Sequence, residues 1–430
     1  MIKMYVDYEY NIKNIVSHIC SNPKLPQQEL FLRLAKKDDA IYYDLTDTNW
    51  RVVKILKGIG WEIREGDQTP TLFYREVDRH VSQVEPKRGY ENDTLNKFIN
   101  MLNLPDDPST LLLFKVHLVS LFIPEIPHPI FLLNGNTGSG KTHIQKYVKR
   151  IVDPDNLEKL SIPKDERDFV LQASKNYLLS YDNVGYTERY FSDRICSVIT
   201  GTGFVTRQLY TDSGDHSVQY RSSIILSTIN KRIFKKPDFL NRCIIYDLPN
   251  ISSYKREESL DKEFNEILPG LLGYIFDIIA NAMKIAESMK SDPNILQLPR
   301  MADFAFWGEA IARSMGNQSN QFLNVYKEHL ANRFDNDANY KNKSPDIAFI
   351  ELVSKFVRSK GGWEGLMANL LNELKFFAKA DNKKSVKLPS SAGALVRKIG
   401  LLKDALINKG IEYTNSRNEQ NYSFSIFTII

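Results

Sequence analysis

Cysteine is nearly missing from this chain of 430 residues: Cys20, Cys196 and Cys243 are too few and too scattered for a disulfide framework. Histidine is scarce as well, seven in all, and none has the paired spacing of a structural zinc site. No apolar run reaches the roughly 18 to 20 residues that span a bilayer. The start, Met-Ile-Lys-Met-Tyr-Val-Asp, lacks the apolar core of a secretion signal. These absences argue against a disulfide scaffold and against a membrane protein, and the expectation is a reduced, cytoplasmic one. Net charge is small too, +5 from 57 Lys and Arg against 52 Asp and Glu, so it permits a nucleic-acid partner without arguing for one. What is present is ordinary for a globular chain, 42% hydrophobic and 25% charged. The length allows about two to four domains.

One stretch organises the rest. Gly135, Asn136, Thr137, Gly138, Ser139, Gly140, Lys141 and Thr142 fill every defined position of the phosphate-loop pattern, Gly, four residues, then Gly-Lys-Ser/Thr. Ile130 to Leu133 reads as a buried strand before it, and His143 to Ile151 as a helix after it. The glycines let backbone N–H groups turn toward phosphates, and the new helix offers unpaired N–H groups to the same anion. Lys141 is then expected to reach the β and γ phosphates of ATP, and Thr142 to hold Mg²⁺.

Residues 1 to 90 read as a small α+β module. It has a helix near Gln27 to Lys37 and strand-like runs at Ile41–Leu45, Arg51–Leu56, Trp61–Arg64 and Thr71–Arg75. Tyr42, Tyr43, Trp50, Trp61, Phe73 and Tyr74 are either stacking faces for single-stranded bases or the core of a small sheet. Pro86 to Gly89 reads as a linker. Two helices follow, the second opening at Asp106-Asp107-Pro108 and running through Leu111 to Phe122.

Beyond the phosphate loop, Lys175 to Asp182 is an apolar strand ending in an acidic residue, the position of an outer-sphere Mg²⁺ carboxylate. The next residue is Asn183, which can position a water but cannot take its proton, so Glu188 and Asp212 are the alternative bases. A hairpin with its tip around Asp212 to His216 precedes the apolar strand Ser223–Ile229, and Asn230 at the strand's end is placed to sense the γ phosphate. Arg242 stands just ahead of the strand Cys243–Leu248, and Arg300 opens the helix Met301–Met315.

Polar, turn-rich residues from Arg333 to Ser344 mark a boundary between the nucleotide domain, 91–334, and a last domain, 345–430. Three helical patterns there, Asp346–Val357, Trp363–Ala378 and Ser390–Asn408, precede a β pair, Ile411–Tyr413 and Tyr422–Thr428. That is a winged-helix pattern. Lys383, Lys384, Lys387, Arg397, Lys398, Lys403 and Arg417 gather on its third helix, the approach to it and the wing, which suits phosphate contacts with DNA.

On these residues the stretch Thr94 to Phe334 resembles the AAA+ ATPases in replication proteins of phages, plasmids and genomic islands, relatives of the superfamily 3 and minichromosome-maintenance-like helicases. The marks are Leu179-Ser-Tyr-Asp-Asn183, Thr200-Gly-Thr-Gly-Phe-Val-Thr-Arg-Gln-Leu-Tyr-Thr-Asp212 and Pro299-Arg-Met-Ala-Asp-Phe-Ala-Phe-Trp-Gly-Glu-Ala310. The resemblance implies an α/β P-loop NTPase of AAA+ type, a parallel sheet flanked by helices, with a small N-terminal β-rich module and a C-terminal winged helix. It implies that Asn230 is sensor 1, Arg242 an arginine finger for a neighbour's ATP, and Arg300 sensor 2. Arg207 to Arg221 falls where such helicases carry a DNA-contacting hairpin, and the basic residue of the tip here is only His216. An ATP-dependent DNA helicase of a mobile element, working on single-stranded or forked DNA as a homohexameric ring, is the activity implied, with a primase or an initiator as a further partner. Asn183 and the weakly basic tip keep a nucleotide-switched initiator or loader open beside it. A small-molecule kinase on the same loop explains neither arginine.

Overall fold

The computed structural model describes residues 29–430 except 77, 90–91, 186–188, 202, 208–214, 220, 231–233, 235–236, 294, 296, 333–344, 381–385, 387, 403–405, 408, 418–422 and 430. The chain divides into two compact units, Met1–Leu330 and Ala331–Ile430.

The first unit opens with β1 (Leu30–Phe31), β2 (Leu34–Lys37), β3 (Ala40–Asp44), β4 (Val52–Leu56), β5 (Gly60–Arg64) and β6 (Leu72–Phe73). β2 to β5 form an antiparallel meander, while β6 leaves it and pairs in parallel with β1. The helix expected from Gln27 to Lys37 is therefore wrong over its described part. A turn at Asp38, left-handed at φ 53°, folds β2 back on β3. That pairing also seats Arg33, 1% exposed, against Asp153, and tertiary contacts of this kind override helix propensity.

This sheet shares one core with the part of the unit that follows it. Tyr43, Ile55 and Trp61 lie in the same buried cluster as Phe131, Leu133 and Phe276. Asp153 closes the junction: Arg33 Nε reaches it at 3.2 Å and Lys149 Nζ at 2.8 Å. Burial opposes its charge, but Lys149 and Arg33 hold the carboxyl well below its usual range. Pro86 to Gly89, read as a linker, is not a free tether. Lys87 N donates to Pro269 O at 2.9 Å, and a Cβ on Gly273 would fall 1.9 Å from Lys87 O.

Next come α1 (Asn92–Met101) and α2 (Pro108–Ser120), the latter capped by Asp107, which accepts from Thr110 N at 2.7 Å. The central sheet follows: β7 (Ile130–Asn134), α3 (Lys141–Val152), α4 (Glu166–Ala173), β8 (Leu178–Tyr181), α5 (Arg189–Thr200), the hairpin β9 (Gly203–Arg207) and β10 (Asp215–Gln219), β11 (Ser223–Thr228), the short α6 (Pro237–Leu240) and β12 (Cys243–Asp247). Its strands are all parallel in the order β12-β7-β11-β8. Burial on both faces explains their nearly continuous apolar character. A parallel sheet with helices in the connections is an α/β arrangement, and it fits the P-loop NTPase fold expected from the sequence.

α7 (Glu257–Met289), α8 (Ala302–Ser314) and α9 (Gln321–Asn332) complete the unit. Among the described residues α7 alone is long and apolar enough to cross a membrane, but 67% of that stretch is buried inside the protein, as in a core helix.

The second unit holds α10 (Pro345–Lys360), β13 (Trp363–Leu366), α11 (Met367–Ala380), α12 (Ala392–Leu401), β14 (Ile411–Arg417) and β15 (Ser423–Ile429). Trp363 to Leu366 is a strand rather than a helix start. Gly361, Gly362 and Gly365 take positive φ there, and β13 pairs antiparallel with β15, giving a sheet in the order β13-β15-β14. Its core includes Phe349, Phe356, Leu374, Leu395 and Phe427.

Candidate nucleotide site

The sheet order decides which residues meet. Because β11 lies between β7 and β8, the ends of all three strands converge: Thr228 pairs with Asn134, and Leu226 with Tyr181. The phosphate loop leaves β7 at Asn134, and α3 starts at Lys141. Gly138 and Gly140 are left-handed, at φ 79° and 85°, and a Cβ on Gly135 would fall 2.6 Å from Ser139 Oγ. Lys141, 8% exposed, donates to the carbonyls of Gly135 at 2.8 Å and Asn136 at 2.7 Å. Burial pushes its pKa down, opposed by Asp182. Asn103 Nδ2 donates to Ser139 O at 3.0 Å and Tyr254 OH to Gly138 O at 3.2 Å, so two distant segments clasp the loop.

Thr142 Oγ1 donates to Asp182 Oδ2 at 3.2 Å, Ser227 Oγ donates to Asp182 Oδ1, and Lys159 Nζ lies 3.6 Å from Asp182 Oδ2. Asn183 is left-handed, at φ 52°, and its N–H donates to Ser227 Oγ at 2.8 Å. Asn is enriched in that conformation, so the backbone there suits an amide side chain. Asn230 follows the end of β11, its N–H donating to Thr228 Oγ1 at 3.1 Å.

Arg242 and Arg300 are at the other end of the sheet. Arg242 O accepts from Ile130 N at 2.7 Å, at the start of β7. The phosphate loop begins after the strand's last residue, so at about 3.3 Å per residue it is roughly 17 Å further on. Both guanidinium groups bind Asp238, Arg242 at Oδ2 and Arg300 at Oδ1. The Arg242 hydrogen bond, with that of Arg300, holds the Asp238 carboxyl below its usual range against a desolvation cost.

The structure thus brings Lys141, Thr142, Asp182, Asn183 and Asn230 to one end and leaves Arg242 and Arg300 at the opposite one. Ser227, Lys159 and Asp238 were missed by the sequence reading. Ser227 had a signal, a hydroxyl inside an apolar strand; the other two had none. Glu188, Asp212, Lys387 and Lys403 lie outside the described residues. Arg207 and His216 are on paired strands, opposite Asp215 and Thr206, and Arg417 is on β14 opposite Ser423. On α12, Arg397 is exposed, and Lys398 Nζ lies 4.6 Å from the centre of the Phe349 ring.

No curated protein matches the chain. Solved structures similar to it include one titled an active helicase, Cch of SCCmec type IV, at TM-score 0.44 and 11% identity, covering 100% of this chain and 86% of that one. The C-terminal region of NrS-1 aligns at TM-score 0.38 and 12% identity over 90% of this chain and 96% of that one. A full-length MCM homolog from Methanopyrus kandleri gives 0.33 and 14%, over 70% and 75%. At TM-scores below 0.5 these likenesses carry no inference about activity. The sequence families are decisive instead. Residues 95–336, more than half of the chain, match the actinomycete integrative conjugative element replication proteins, and residues 349–428 match the C-terminal domain of the same proteins. The chain belongs to the family of replication proteins of actinomycete integrative conjugative elements.

Proposed function

We propose that this replication protein is an ATP-dependent DNA helicase working as an oligomeric ring, in which each ATP is held by one copy and completed by arginines of the next. The observation that carries this reading is the placement of Arg242 at the end of the sheet opposite its own phosphate loop. A side chain so far from its own site contributes to hydrolysis only in trans.

The residues at the site fit ATP and Mg²⁺. The left-handed Gly138 and Gly140 give the loop the tight turn a phosphate cradle needs, and Thr142 offers a hard oxygen donor of the kind Mg²⁺ takes, with the Asp182 carboxylate beside it. When bound, ATP with Mg²⁺ supplies the phosphoanhydride bond whose cleavage drives movement. The loop N–H groups bind the phosphates, and the Lys141 ammonium exchanges the carbonyls of Gly135 and Asn136 for phosphate oxygens. Thr142 would hold the metal and Asp182 would support it from the outer sphere, while Ser227 fixes the orientation of Asp182. Asn183 and Asn230 orient the attacking water. Arg242 and Arg300 of the adjacent copy neutralise the developing charge, a contribution on the order of a thousandfold or more for a finger of this type. The second unit, with exposed Arg397, would grip DNA as a winged helix.

The absence of a carboxylate at Asn183 favours a second reading, a nucleotide-switched initiator or loader. Strand displacement on forked DNA separates the two. ATP-dependent displacement, lost in Lys141→Ala, supports the helicase; DNA-stimulated hydrolysis with no displacement on any fork supports the switch.

A further inference from the structure

Trp50 is 55% exposed and left-handed, at φ 59°. For a bulky residue that backbone is an outlier, and such positions persist only where their surroundings over-determine them. Here the surroundings do. Gly66 packs beneath the residue, where a Cβ would fall 2.6 Å from Trp50 O. The Arg75 guanidinium lies 4.0 Å from the ring centre. Arg75 is itself fixed, by both carboxylate oxygens of buried Asp44 and by Asp47 O at 2.6 Å. Trp50 is therefore a rigid aromatic platform with one face covered.

Beside it is a cavity of about 590 Å³, within the range of small-ligand sites. Asn49, Glu65, Asp67, Gln68, Thr71 and Phe73 are among its lining. Thr71 is 4% exposed, and among the described residues its hydroxyl has no hydrogen-bond partner. An orphaned buried hydroxyl is rare in a folded protein and marks a place for a polar group.

We infer that this cavity binds an unpaired nucleobase bearing an exocyclic amine, cytosine foremost, with the sugar and phosphate left outside. A planar ring stacks on the free face of Trp50. The Glu65 and Asp67 carboxylates accept from the amine, as acidic side chains do from cytosine N4, and repel phosphate from the pocket. The Asn49 and Gln68 amides and the Thr71 hydroxyl complete the edge. A cationic side chain is the poorer occupant, because the Arg75 guanidinium already lines the cavity and lies against the ring. Thymine, which has no amine, is disfavoured. The site is separate from the nucleotide loop and does not depend on ATP use.

The test is photo-cross-linking of the intact chain to a short single strand carrying 5-iodocytosine, with the adduct mapped by mass spectrometry. The expected adduct is on Trp50, displaced by unlabelled oligo-dC at about tenfold lower concentration than by oligo-dT. Thr71→Val should weaken binding several-fold while leaving the melting temperature equal or higher, since it removes the orphaned hydroxyl without changing side-chain shape. Competition by free cytidine as strong as by oligo-dC assigns the site to nucleosides; much stronger competition by the oligomer assigns it to single-stranded DNA. Absence of an adduct at Trp50, equal competition by oligo-dT, unchanged binding in Thr71→Val, or displacement by a lysine-rich peptide would overturn the inference.

Discussion

Thr142 Oγ1 lies 3.2 Å from Asp182 Oδ2, although 40 positions separate the two residues in the chain. The contact exists because β11 sits between β7, which leads into the loop before Thr142, and β8, which ends just before Asp182, and holds Asp182 through Ser227. Asp182→Asn keeps the shape and loses the charge. It should lower Mg²⁺-dependent hydrolysis on the order of a hundredfold or more with the fold intact. Steady-state hydrolysis across a Mg²⁺ titration checks this, and an unchanged turnover would remove Asp182 from the metal site.

Asp238 binds Arg242 and Arg300 together and so positions both. Asp238→Ala should cut hydrolysis about tenfold by loosening that pair while ATP affinity stays the same. Separate measurements of kcat and of nucleotide binding decide it. A change confined to ATP binding would contradict the positioning role.

His128 is buried, its Nε2 donating to Ser120 O at 2.8 Å and its Nδ1 accepting from Ser223 Oγ at 2.9 Å. Burial pushes its pKa from the ordinary 6.5 down to about 4. Between those values the unfolded chain takes up a proton that the folded one refuses, so stability should fall as pH drops through that window and stay level above it. The loss is at most about 3 kcal/mol. Burial holds His117 down as well and acts in the same direction. Denaturant unfolding across the window should show the slope, and His128→Gln should reduce it to the part that His117 contributes.

Gly273 leaves the space that Lys87 O fills, with a Cβ contact of 1.9 Å in prospect. Gly273→Ala should therefore cost more than about 2 kcal/mol, because the crowding atom is backbone and cannot swing aside. A variant with wild-type stability would mean that the strap over α7 is loose.

The phosphate loop was legible because its chemistry is local: strand, glycine turn and helix sit within a single stretch. Asp182 was legible for the same reason, at the end of an apolar strand. Ser227, Lys159 and Asp238 act through sheet order and loop return, which spacing in the sequence does not encode. Leu34 to Lys37 looked helical because the contact that seats the strand, Arg33 on Asp153, is tertiary, and Trp363 to Leu366 because its partner is β15, some 60 residues on. Of the six aromatics read as base platforms or core, Tyr42, Tyr43 and Trp61 are buried, and Trp50 and Tyr74 are exposed, a division that burial alone makes visible.

The most direct measurement of the central claim is ATP hydrolysis by mixtures of Lys141→Ala and Arg242→Ala. Each variant alone should be inactive, Arg242→Ala while still binding ATP. Mixed, a Lys141→Ala copy supplies its arginine to the ATP held by an Arg242→Ala neighbour, and the account predicts that hydrolysis returns. Mixtures as inactive as their components, or Arg242→Ala active by itself, would contradict it.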